Sequence, residues 1–368
     1  MESAVATGDY SLVIKLKKAD FNFTEKLCMP AAYPCSVKFF NTCGGAYGLS
    51  VENMLCNGPF KLNYLDTENG NATIVSTRED DGDKLSRIRL VQIDAGSQAE
   101  KYLADEISGF FTYSTQDVSY EDTQTMEYES ANISLVFNMN KAMFANENIR
   151  KALGWYAHGF ENSGANKNAV AVHTSIFPGT ITLAGEYITN LYTPSVPAYM
   201  SVTPKEMMNS GLAQMGKTKM DACSILMPSD SIYTLIFENI NQLWQKNLGQ
   251  FFTIEYLPVS QIKERIAKGE FDMAFLPVSP ENDTVYGILD SFTAFDTDVA
   301  NYTASAKANT NQANALADIK KAANIVNEKA MIIPMGSEKT VFYHRDYFHN
   351  IYIDPFTSII NLKYTTVK

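Results

Sequence analysis

The sequence carries few residue arrangements that support covalent chemistry. It has no Gly-x-Ser-x-Gly elbow, no His-Glu-x-x-His, no Walker A loop and no Gly-x-Gly-x-x-Gly. Gly44, Gly45 and Gly48 are close together but do not open a helix, so they make no phosphate cradle. Of the four histidines, His158 and His173 stand alone, and His344 and His349 have neither one helix face nor metal spacing in common. The five cysteines include no Cys-x-x-Cys pair, which excludes zinc ribbons and thioredoxin-like redox motifs. Four of them fall between Cys28 and Cys56. They read either as buried free thiols or as one disulfide, best placed as Cys35–Cys43 around an aromatic turn. Carboxylates are plentiful, but a glycosidase pair is defined by distance in space, which spacing does not give. From chemistry alone the chain reads as a soluble α/β protein that is not an enzyme, with no metal and no cofactor.

Composition narrows the partners. The 368 residues suggest two or three domains, and 45% apolar content suffices for a sizeable core. The net charge of −11 argues against nucleic acid or an anionic membrane surface, both of which need a basic face. No apolar run is long enough to span a bilayer. The N-terminus lacks the basic, apolar, small-residue order of a signal peptide.

The elements that must position any site follow from periodicity. Asp9–Lys18, Phe60 onward, Asn69–Ser76, Arg87–Ile93 and Ile133–Asn138 read as strands. The polar stretch Tyr113–Ser130 reads as a linker or crossover loop. Glu147–His158 reads as a helix capped by Asn146. Apolar residues from Ile232 to Leu248 recur at helical spacing, with Gly249 placed as the terminating residue. Then come a strand over Phe252–Tyr256, a short helix capped by Ser260 and ended by Gly269, and an apolar strand over Phe271–Leu276. Helix, strand, helix, strand in so short a span predicts a parallel α/β unit. A last helix over Ala315–Asn327 precedes a strand at Met331–Pro334, and the tail Asp346–Tyr364 reads as strand-like.

Several of these segments, in order, resemble one family. Asp9–Lys18 (DYSLVIKLKK) looks like the "tVvfkLk" strand of the extracytoplasmic solute-binding proteins of ABC transporters, family 5, the peptide/nickel-binding branch. Asn57-Gly58-Pro59-Phe60 resembles its "NGPY" turn, and Leu103–Phe111 its "L.sGEIDgf" segment. Leu135–Leu153 resembles the "l.fNt..pPF.d.rVRqAl" signature, with Phe137, Asn138, Phe144, Ile149, Arg150, Ala152 and Leu153 at matching places. Trp244–Gly249 with Phe271–Ala274 is similar to "WkknLG…fDma", and Ile333-Pro334 to a strand near the family's C-terminus. His158 stands where the family carries the acid of "yAiDr". The family's opening segments have no counterpart, so the resemblance implies that the N-terminal part is lacking.

The resemblance implies a two-lobe, periplasmic-binding-protein-like fold (type II, cluster C), lacking the N-terminal part of lobe I and its extra domain. Residues 1–119 would be the second stretch of lobe I, 120–335 lobe II, and 336–368 the return to lobe I. It also implies a function. The chain would bind a di- or oligopeptide, or a similar small solute, between two lobes and deliver it to ABC permease subunits outside the cytoplasm. Contact with the membrane would be only through a lipid anchor missing from this chain. Matching from Phe271 places Glu281 where the family's acid meets the ligand's α-ammonium, and Asp283 is its alternate. Ser279 and local backbone would hold extended peptide, and Val278 takes the place of an expected tryptophan. Arg150 reads as a helix-surface residue. Two other readings are a cytosolic ligand-sensing regulator of the same fold and a peptidase.

Overall fold

The structure is a computed structural model. It describes residues 2–20, 23–27, 32–78, 84–94, 96–112, 120–158, 170–229, 234–279, 284–354 and 359–368. The chain forms two compact units. Unit 1 comprises Met1–Lys26 and Glu129–Lys339, and unit 2 comprises Leu27–Tyr128 and Thr340–Lys368. The segment Met1–Lys26, expected alongside residues up to 119, thus clusters with Glu129–Lys339.

Unit 1 is built on a mixed sheet. Its strands are β1 (Thr123–Phe137), β2 (Val170–Ala171), β3 (Ser224–Pro228), β4 (Thr253–Leu257), β5 (Met273–Val278) and β6 (Ile332–Arg345), ordered β4-β3-β5-β1-β6 with β2 paired to β6. β3 runs parallel to both β4 and β5, whereas β5 meets β1 antiparallel. The predicted parallel unit is therefore present, with β3 between the two strands read from the sequence.

The central strands are apolar almost without interruption because both of their faces are covered. Ile225 and Met227 of β3, and Met273 and Phe275 of β5, join the core beneath α1 (Glu147–His158), α2 (Pro204–Gln214) and α3 (Thr234–Leu248). Leu226, Ala274 and Leu276 point to the other face, where Ile262 of α4 (Val259–Lys268) packs. A third cluster gathers α5 (Thr297–Ala308) and α6 (Gln312–Glu328) with Ile176, Phe177 and Ile181. Asn146 caps α1 as expected, its Oδ1 accepting from the Asn148 and Ile149 amides at 3.0 and 3.3 Å. Gly249 and Gly269 end α3 and α4 with positive φ. Ser260 lies inside α4, not at its cap, which is Pro258.

Two expectations are corrected. The polar stretch to Ser130 is not a loop throughout, since Thr123–Ser130 forms the first half of the 15-residue β1. Cys35 and Cys43 are free thiols. They flank the helix Val37–Thr42. The Cys43 thiol instead donates to the Phe39 carbonyl at 3.2 Å.

Unit 2 has a three-stranded antiparallel sheet of Phe60–Asp66, Asn71–Ser76 and Arg87–Leu90. Gly109–Thr112 pairs with the last part of β6, from Val341↔Thr112 to His344↔Gly109. Its core is small and aromatic. Phe110 stacks on Tyr343 at 5.0 Å, and the Arg345 guanidinium lies 4.1 Å from the centre of the Tyr102 ring. Among its described residues the tail carries two short antiparallel pairs, Phe348–His349 with Thr366–Val367 and Tyr352–Asp354 with Ile359–Asn361.

Candidate functional site

The C-terminal end of β5 carries the expected site segment. Val278 pairs with Asn132 of β1, so the chain leaves the sheet beside the unit 1 part of that strand. Val278 is half-buried and packs against two of the apolar clusters, whereas Ser279 is exposed. Glu281 and Asp283 lie outside the described residues. Thr284, where the chain resumes, bridges to Thr182, which brings the segment 173–184 to the same edge.

That segment is pinned from below and locked from within. Ile176, Phe177, Ile181 and Leu183 are buried in the core. Above them runs a closed ring of hydrogen bonds. The Ser175 amide donates to His173 Nδ1 at 3.2 Å, which leaves the imidazole proton on Nε2. His173 Nε2 donates to Ser337 Oγ at 2.5 Å, Ser337 donates to Asn132 Oδ1 at 3.0 Å, and Asn132 Nδ2 returns to the Ser175 carbonyl at 2.9 Å. The ring ties β1, β6 and the 173–175 segment together. Burial pushes the His173 pKa down, partly opposed by the Glu129 carboxylate 3.7 Å away. Sequence reading passed over this group because no local motif links positions 132, 173 and 337.

The ring also bears on catalysis. Serine, imidazole and carboxylate are together here, but the basic nitrogen of His173 faces the Ser175 amide, not Ser337. The imidazole donates to the hydroxyl and has no lone pair with which to take its proton, so Ser337 is not activated as a nucleophile. Among the described residues, no group of three or more His, Cys, Asp or Glu is placed to hold a metal ion.

The motif residues of Leu135–Leu153 serve the core. Phe137, Phe144, Ile149, Ala152 and Leu153 are buried. Asn138 Nδ2 donates to the Phe271 and Gly269 carbonyls at 2.8 and 3.0 Å, fixing the turn into β5. Arg150 is buried and not on a helix surface. It donates to the carbonyls of Phe144, Ala145, Lys329 and Ala330 at 2.6–3.0 Å. Burial lowers its pKa to about 10, so it stays charged at neutral pH.

Solved structures of two-lobe binding proteins match this two-unit α/β fold across the whole chain. A putative peptide-binding protein AppA from Clostridium difficile has 17% identity and a TM-score of 0.80, covering 100% of this chain and 78% of its own. Listeria monocytogenes OppA bound to peptide has 22% identity and a TM-score of 0.70, with coverage of 99% and 75%. Haemophilus influenzae OppA in complex with the peptide RPPGFSPFR has 16% identity and a TM-score of 0.71, with coverage of 99% and 74%. No curated protein sequence matches significantly. The family model for bacterial extracellular solute-binding proteins, family 5 Middle, matches residues 1–329, and the chain belongs to that family.

Proposed function

We propose that this protein is the peptide-binding component of an ABC importer, taking a di- or oligopeptide and passing it to permease subunits. The observation that carries the reading is the family match over residues 1–329, together with fold neighbours crystallised with peptides. The hydrogen bonds around His173, which leave Ser337 without a general base, support the binding reading. Family membership puts the protein outside the cytoplasm, and a lipid anchor is the expected attachment to the membrane. No helix among the described residues is long and apolar enough to cross a bilayer.

Glu281 takes the ligand's α-ammonium, with Asp283 as its alternate, and Ser279 and adjoining backbone hold the extended peptide as an added strand. The support is the residue-by-residue match from Phe271 and the exposed end of β5. A desolvated ammonium needs a carboxylate. Removing a buried partner costs about 3–5 kcal/mol, and a solvated one about 1 kcal/mol. In the full-length protein, Glu281→Ala is expected to weaken a free-amine peptide at least about tenfold. The same peptide N-acetylated is hardly affected. Equal losses for both peptides, or no loss for either, contradict the assignment.

A further inference from the structure

Glu129 stands where β1 enters unit 1, half-exposed at the same edge as the end of β5. Its carboxylate lies over Gly179, where an added Cβ would come within 3.0 Å of Oε2. A side chain at 179 would make it give way by a few tenths of an ångström. Glu129 accepts no hydrogen bond from any described residue, and among these its one ionisable partner within salt-bridge distance is His173. That partner does not neutralise it. A second proton on His173 would have to displace the Ser175 amide from Nδ1 and open the ring. Ser337 is 0% and Asn132 2% exposed, so no solvent is at hand to replace a lost bond. No Lys or Arg among the described residues lies within salt-bridge distance of this carboxylate beside the candidate site, and the group that complements it is a cation with N–H donors.

We infer that Glu129 receives a basic side chain of the bound peptide, and so selects ligands that contain lysine or arginine. This rests on the peptide reading above and concerns a different ligand group from the α-ammonium assigned to Glu281. The test measures affinities of the full-length protein for alanine tetrapeptides with one lysine at position 2, 3 or 4. Each is compared with its norleucine counterpart, which keeps the chain length and removes the charge. The wild type is expected to favour lysine about two- to fivefold at one position, the range for a half-exposed charge pair. Glu129→Gln should bring that ratio to about one, leaving the norleucine affinity and the loss on N-acetylation unchanged. A wild-type ratio near one at every position overturns the inference. So does a Glu129→Gln protein that keeps the wild-type ratio, or one that loses affinity equally for both peptides. A wild type that binds the norleucine peptides without favouring lysine leaves the peptide reading standing, whereas one that binds none of the peptides overturns both.

Discussion

Arg150 holds a positive charge in the interior because four backbone carbonyls accept from it. Two of these end the short helix Ala142–Ala145 and two follow α6, so one side chain closes two helix ends that are far apart in sequence. Truncation would leave all four carbonyls without this partner. Arg150→Ala is therefore expected to lower the unfolding free energy by about 3–5 kcal/mol in urea titrations, and Arg150→Lys by less. His158 makes a pH prediction. It is half-buried at the end of α1, its Nε2 is 2.9 Å from the Tyr199 hydroxyl, and desolvation lowers its pKa from 6.5 to about 4. A folded-state pKa below the unfolded one means stability that is complete above pH 6.5 and is lost as pH falls towards 4. The shift corresponds to about 3 kcal/mol. Unfolding measured from pH 7 to 4 should show that loss, and His158→Gln should flatten it. The identity of both residues was legible in the sequence, but their burial was not. An isolated arginine or histidine on a helix carries no sign of which face it occupies.

At the scale of elements, the sequence was most legible where burial is one-sided or complete. The helix α3 and the apolar strand after Gly269 are both present, because each pattern has one physical cause, although Ile232 lies outside the described residues and β5 runs over Met273–Val278, past Asp272. β1 failed for the opposite reason. Its first half is polar and only partly buried, and it is held by pairing that composition does not record. The Cys35–Cys43 proposal failed because the helix Val37–Thr42 was not recognised between them. Alkylation without reductant should label both, and intact mass should show no two-dalton change on reduction. Gly336 gives an element-scale test. It sits in β6 at φ +144, and an added Cβ would meet the Ala171 carbonyl oxygen at 2.5 Å. Gly336→Ala is expected to cost about 2 kcal/mol or more and to raise amide exchange at Val170 and Ala171, which β6 pairs.

At the scale of the whole molecule, the two units differ in how well they are covered. Among the described residues, unit 1 holds three apolar clusters, whereas unit 2 has one small aromatic one. Unit 2 also contains a cavity of about 650 Å³, lined by Leu90, Ile107, Phe111, Phe342, Ile360 and Leu362 among others. Leu90 and Val91 beside it are 47% and 40% exposed. A chain of these 368 residues is expected to bind a hydrophobic dye and to associate as concentration rises. Sedimentation showing a monomer at high concentration, with no dye bound, contradicts this. Family and general architecture were legible because ordered motifs run along the chain. The Glu129–His173 group was not, since it exists only once β1, β6 and the 173–184 segment are brought together. The central claim is that the protein carries peptides and does not alter them. Native mass spectrometry of the full-length protein mixed with a defined set of free-amine tetrapeptides tests it most directly. The account predicts a one-to-one complex that releases an intact peptide on denaturation. An uncomplexed protein, or peptides recovered as cleavage products, would contradict it.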